Sequence, residues 1–166
     1  MLKNLKPLVA KDVEVGNEYI AVSSAVDCSL SVTRIEVLTP YDGDGMFRSR
    51  VTYGEKDCEH SYETDQFMES LGVPHKSRRY ADNHHRLFAY TPEVYDFFRD
   101  FVDKQRSVEW LLYIGVENPE DVIAKGLKEH DALMRMSDEA DGMDMLAALD
   151  MFSDELTSKR VDTVKH

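Results

Sequence analysis

Residues 33–55 read TRIEVLTPYDGDGMFRSRVTYGE, and this stretch decides the fold class. Thr33, Ile35 and Val37 alternate with Arg34 and Glu36, while Phe47, Val51 and Tyr53 alternate with Arg48, Arg50 and Thr52. A period of two is that of a strand with one face buried. Between the runs, Asp42-Gly43-Asp44-Gly45 supplies residues that turn the chain sharply, so the segment is expected to be a β-hairpin.

Toward the N-terminus, Val13 and Val15 lead into a Gly16-Asn17 turn, and residues 18–23 give another strand-like run. Beyond the hairpin, residues 58–63 can form a further strand. Thr64 and Asp65 then read as the cap of a short helix with Phe67, Met68 and Leu71 on one face and Gly72 at its end. The opening VEVGNEY, the hairpin and this closing helix together resemble a small SH3-like β-barrel over residues 1–72. The resemblance implies a binding platform rather than a reaction.

After residue 90 the apolar period becomes helical. Thr91-Pro92-Glu93 is a cap followed by proline at the first helical position, and Val94, Phe98, Phe101, Val108 and Leu112 recur on one stripe up to Gly115. Trp110 falls away from that stripe, so it is expected either to pack on the barrel or to lie in an interface. Asn118-Pro119-Glu120-Asp121 repeats the start signal, with Val122, Ile123, Leu127, Leu133 and Met134 as the expected buried side and His130 at its centre. Ser137 is placed to cap a third helix, whose stripe is Met145, Leu149, Phe152 and Leu156. The expected class is therefore α+β: a small antiparallel barrel over 1–72, a basic, histidine-rich connector over 73–90, a subdomain of about three amphipathic helices over 91–158, and a frayed tail over 159–166.

A chain of 166 residues with 42% hydrophobic content can bury a core without disulfides. Cys28 and Cys58 are too few for a disulfide framework, and no stretch reads as a secretory signal or a membrane span, so reduced thiols in a cytoplasm are expected. The net charge is −12, unevenly spread. Residues 1–90 hold 14 acids and 11 bases, a net of −3, and the remainder holds 18 and 9, a net of −9. Such a surface repels phosphate and anionic membranes and attracts basic proteins. In its small size and acidity the chain resembles, in style, the bacteriophage accessory proteins that act on host machinery.

Two charged clusters stand out. Seven acids and no base lie between Arg135 and Lys159. At helical spacing Glu139, Asp144, Asp150, Asp154 and Glu155 oppose the apolar stripe, with Met143 and Met151 on the same acidic side. The 18 residues from Asp138 to Glu155 span about 27 Å as a helix, roughly one charge per 4 Å, close to the spacing along a nucleic-acid strand. A solvated helix face gives the same pattern. In the connector, Lys76, Arg78, Arg79 and Arg86 lie with His75, His84 and His85 within twelve residues, interleaved with Tyr80. They form an anion-binding candidate, to which Arg48 and Arg50 of the hairpin could add, or they pair with the chain's own acids.

Signs of catalysis are thin. Cys58 and His60 share a strand face and could, with His84 or His85, hold zinc, or between themselves form a thiolate–imidazolium pair. No nucleophile elbow, phosphate loop or dinucleotide fingerprint occurs. The leading expectation is a non-enzymatic interaction protein without a cofactor, its acidic helix face binding a basic protein, itself acting on nucleic acid, as inhibitor or regulator. A module that binds nucleic acid or another anion through the connector comes second, ahead of a structural subunit of a larger assembly. A homo-oligomer is neither required nor excluded.

Overall fold

The computed structural model describes residues 2, 5–25, 29–55, 58–74 and 84–139. The chain divides into two compact units, Met1–Pro119 and Glu120–His166. The first contains a five-stranded antiparallel sheet: β1 (Glu18–Ser24), β2 (Leu30–Val37), β3 (Met46–Glu55), β4 (Cys58–Phe67) and β5 (Arg86–Ala89). Their order across the sheet is β4-β3-β2-β1-β5. Two helices, α1 (Pro92–Asp103) and α2 (Ser107–Tyr113), complete this unit, and α3 (Pro119–Glu139) opens the second.

The α+β class holds, but the sheet does not close: β4 and β5 are its two edges. The hairpin is in place, with Ile35 opposite Val51 and Glu36 opposite Arg50. The Asp42 carboxylate accepts the Asp44 and Met46 N–H groups at 2.9 Å and fixes the turn. Neither Val13 nor Val15 belongs to a strand; a 3-10 turn, Ala10–Asp12, precedes buried Val13. Thr64 and Asp65 continue β4 rather than capping a helix, because each pairs across the ladder, with Ser49 and Arg48. The short helix is a 3-10 turn, Met68–Leu71, ended by Gly72 at φ 72°. The connector supplies an unanticipated strand, β5, which pairs with β1 from Tyr19↔Ala89 to Val22↔Arg86.

Strand β1, between β2 and β5, is buried on both faces. Tyr19 and Ala21 join Ile35, Val37, Phe47, Val51 and Leu87 in one cluster, covered by Val13 and by Met68, Leu71 and Val73. Ile20, Val22 and Phe88 alternate to the other face, which α1 and α2 cover with Phe98, Phe101, Trp110 and Leu111. Phe88 and Phe98 pack in a tilted pair with ring centroids 4.4 Å apart, and Trp110 meets Phe98 edge-on.

The single helix expected over 91–115 is two. Thr91 caps α1 by accepting the Val94 N–H, as its sequence signals, but the chain leaves the helix at Gln105, in left-handed backbone at φ 52°. Arg106 spans the break by pairing with Asp100 and Glu109. The break resets the helical phase, so Trp110 is fully buried and Leu112, expected inside, is 54% exposed. On α3 the expected stripe is only partly covered: Leu127 and Met134 are exposed and His130 is half-buried. This helix runs through Ser137, which therefore caps nothing, and the stripe from Met145 to Leu156 lies outside the described residues.

Tyr113 ties the N-terminal segment to α2, accepting the Leu5 N–H at 3.0 Å and donating to the Leu2 carbonyl at 3.2 Å. Burial pushes its hydroxyl above the ordinary tyrosine range, against the Leu5 hydrogen bond, which favours the phenolate. The folded chain thus holds this proton more tightly than the unfolded chain. Stability is expected to fall as pH rises from about 10 through the folded value. Denaturation at pH 8 and pH 11 checks this: Tyr113→Phe should be less stable than the parent at pH 8 and lose less on going to pH 11.

Candidate functional site

The ladder alternation puts Ala21, Ser23, Thr33, Ile35, Val51, Tyr62, Thr64 and Gln66 on one face of the sheet. With Ser70, Leu71 and His85 they line an open cleft of about 300 Å³. This is at the small end of ligand sites, room for one or two side chains. Among the described residues, His85 and Tyr62 are the only titratable lining residues, and no carboxylate, lysine or arginine faces the cleft. Its polar groups are small hydroxyls and one amide.

Ser49, fully buried, accepts from Gln66 Nε2 at 2.6 Å and lies 3.5 Å from the Thr64 carbonyl, so the polar floor is satisfied internally. His85 forms the far wall. Its Nδ1 is 2.6 Å from the Ser70 carbonyl and its Nε2 3.1 Å from the Ser24 carbonyl, joining the turn after β4 to the end of β1. A neutral imidazole can donate to one of these carbonyls at a time.

The same face continues along β3 and β4 past the cleft. Tyr53, His60 and Tyr62 form an exposed aromatic group, with ring centroids 5.7 and 6.0 Å apart for the Tyr53–His60 and Tyr53–Tyr62 pairs. Tyr53 is 44% and Tyr62 52% exposed. Cys58, free and exposed, has its Sγ 3.6 Å from His60 Nε2. Among the described residues, no three histidine, cysteine, aspartate or glutamate side chains converge as a metal site.

The opposite face carries an ion-pair grid. Arg50 binds Glu36 and Glu63, Arg48 binds Glu63, and Arg34 binds Glu18 and Glu59 while its guanidinium lies 5.5 Å from the Tyr90 ring centroid. The hairpin arginines are outward, as their alternation indicates, but their charge is met by glutamates of neighbouring strands.

Of the connector candidates, His84, His85 and Arg86 are among the described residues. His84 gives its carbonyl to the Trp110 indole at 3.2 Å, and Arg86 donates to the His85 carbonyl at 2.6 Å. Burial lowers the pKa of the half-buried Arg86 guanidinium. Lys76, Arg78 and Arg79 lie outside the described residues, as do Met143, Asp144, Asp150, Met151, Asp154 and Glu155 of the acidic face; Glu139 is described only as the last residue of α3.

Sequence reasoning missed the cleft. Its signal is the run of small or polar residues at inward register positions, Ala21, Ser23, Thr33, Thr64 and Gln66, on strands whose other inward residues are large. Among the described residues, no helix is long and apolar enough to cross a membrane. Comparison with protein-family models, with curated proteins and with solved structures finds no match to this chain.

Proposed function

We propose that this protein is a non-enzymatic interaction module: its cleft takes an uncharged side chain from a partner protein, and its surplus acid selects a basic one. The observation that carries this is the cleft itself, open on a sheet face and lined, among the described residues, without fixed charge. A net charge of −12 raises the rate of encounter with a basic surface, while specificity comes from what the cleft accepts. The acidic helix face over 138–155 would extend the same attraction. The pairing of Arg48 and Arg50 with glutamates weakens the alternative of a nucleic-acid interface on the hairpin.

Titration with N-acetyl-leucinamide and N-acetyl-tyrosinamide, followed by amide chemical shifts, tests the cleft. Shifts should cluster at Ala21, Thr33, Thr64 and Gln66 at millimolar ligand. Thr64→Trp, which fills the space from a half-buried position, should reduce them at least tenfold. Shifts scattered over the molecule, or unchanged in Thr64→Trp, would remove the cleft as the site.

A further inference from the structure

The ladder fixes which backbone groups of edge strand β4 point away from β3; one of them, the Asp65 carbonyl, also accepts from the Thr64 hydroxyl at 3.3 Å. Val37 N–H bonds to the Asn17 carbonyl and Leu38 N–H to the Arg48 carbonyl. Odd-numbered residues of β2 therefore bond to β1, and even-numbered ones to β3. It follows that odd-numbered residues of β3 bond to β4, and that Cys58, His60, Tyr62, Thr64 and Gln66 use their backbone groups on β3. Glu59, Ser61, Glu63 and Asp65 turn their N–H and C=O groups outward, away from the sheet. The other edge differs: β5 already accepts the Leu8 N–H at its Leu87 carbonyl.

Side chains divide along the same alternation. Glu59, Glu63 and Asp65 lie on the ion-pair face, where Arg34, Arg48 and Arg50 approach from inside the sheet. His60, Tyr62 and Thr64 lie on the cleft face. An added strand would place residues opposite the three acids on one face and residues opposite His60, Tyr62 and Thr64 on the other. Pairing two copies of β4 about its centre would set acids of one copy opposite acids of the other, a repulsive register.

We infer that β4 is a strand-addition edge for a basic extended segment of the partner protein, in which Lys or Arg alternates with β-branched or aromatic residues. The basic residues meet the acidic surplus of that face, where Glu18, Glu36, Glu59, Glu63 and Asp65 stand against Arg34, Arg48 and Arg50, and one apolar residue beside Tyr62 or Thr64 enters the cleft. Main-chain bonds supply affinity and the cleft supplies specificity. This rests on the cleft being the binding site, and adds the main-chain edge and the pattern of the partner.

A fluorescein-labelled peptide of sequence RVKIRVK, and an isomer with its basic residues grouped, test the pattern by anisotropy. The alternating peptide should bind at least tenfold tighter. Ser61→Pro removes one outward N–H, keeps every charge and leaves the β3 ladder intact, so it should weaken binding at least tenfold. Ser61→Ala, which loses only the 3.0 Å contact with the Thr52 hydroxyl, should not. Hydrogen exchange on the unmutated protein gives a second readout: bound peptide should protect the amides of Ser61, Glu63 and Asp65. Equal binding of both isomers, no binding, or no new protection at those amides would overturn strand addition. N-acetyl-leucinamide shifts at the cleft would persist in that case, whereas failure of the cleft abolishes them.

Discussion

Trp110→Ala is expected to cost about 3–5 kcal/mol, the range for removing a buried aromatic from a core. The side chain is fully buried beneath α2, between Phe88, Phe98 and Tyr113, and stacks on Tyr113 with an interplanar angle of 17°. Its loss opens a cavity that a sheet on one side and a two-helix layer on the other cannot fill by small shifts. It also removes the indole N–H that the His84 carbonyl accepts. For a domain whose total stability is on the order of 5–15 kcal/mol, that is a large share. Urea denaturation followed by circular dichroism checks it, with the thermal midpoint lowered by roughly 10–20 °C. Trp110→Phe keeps aromatic contact but not the hydrogen bond, and should fall between the two. A loss below about 1 kcal/mol would contradict the packing of α2 on the sheet.

Which parts of this fold are legible in the sequence follows from the range of the forces involved. The hairpin is legible because alternation and a Gly-Asp turn act within a dozen residues. The start of α1 is legible because Thr91 and Pro92 satisfy their own turn. Trp110 falls off a continuous stripe, yet packs on the sheet, because one residue, Gln105, takes left-handed backbone and shifts the phase of everything after it. β4 is under-read because Thr64-Asp65 has the local chemistry of a cap, and only the distant Arg48 and Ser49 hold it extended. β5 is missed for the same reason. Its four residues follow a histidine pair in a charged segment, and their strand character comes from β1, more than sixty residues earlier. The cleft needs all of these at once, since its lining comes from four strands and two segments after them. Its residues are individually ordinary; only the register brings them together.

Gly72→Ala is expected to be the second severe change, about 2–5 kcal/mol, and to act on the site as well as on stability. Gly72 ends the 3-10 turn after β4 at φ 72°, a conformation that costs an alanine roughly 1–2 kcal/mol. Space is the larger problem. A Cβ at Gly72 would fall within bonding range of the His85 carbonyl; the Cβ is fixed by its own backbone and the carbonyl is backbone, so no side-chain rotation relieves the clash. The chain must instead part where the β4 turn meets the entry to β5. That is where His85 joins the Ser70 and Ser24 carbonyls and closes the cleft beside Leu71. Gly16→Ala separates the two contributions: Gly16 has nearly the same backbone, φ 83°, but its Cβ would meet nothing within 4 Å. It should cost only the conformational part, about 1–2 kcal/mol, and leave N-acetyl-leucinamide binding intact. Gly72→Ala, compared where both variants remain fully folded, should weaken that binding several-fold because the His85 wall has moved. Equal destabilisation by the two alanines would show that the β4 turn and His85 do not touch. Equal ligand binding would show that the wall they build does not shape the cleft.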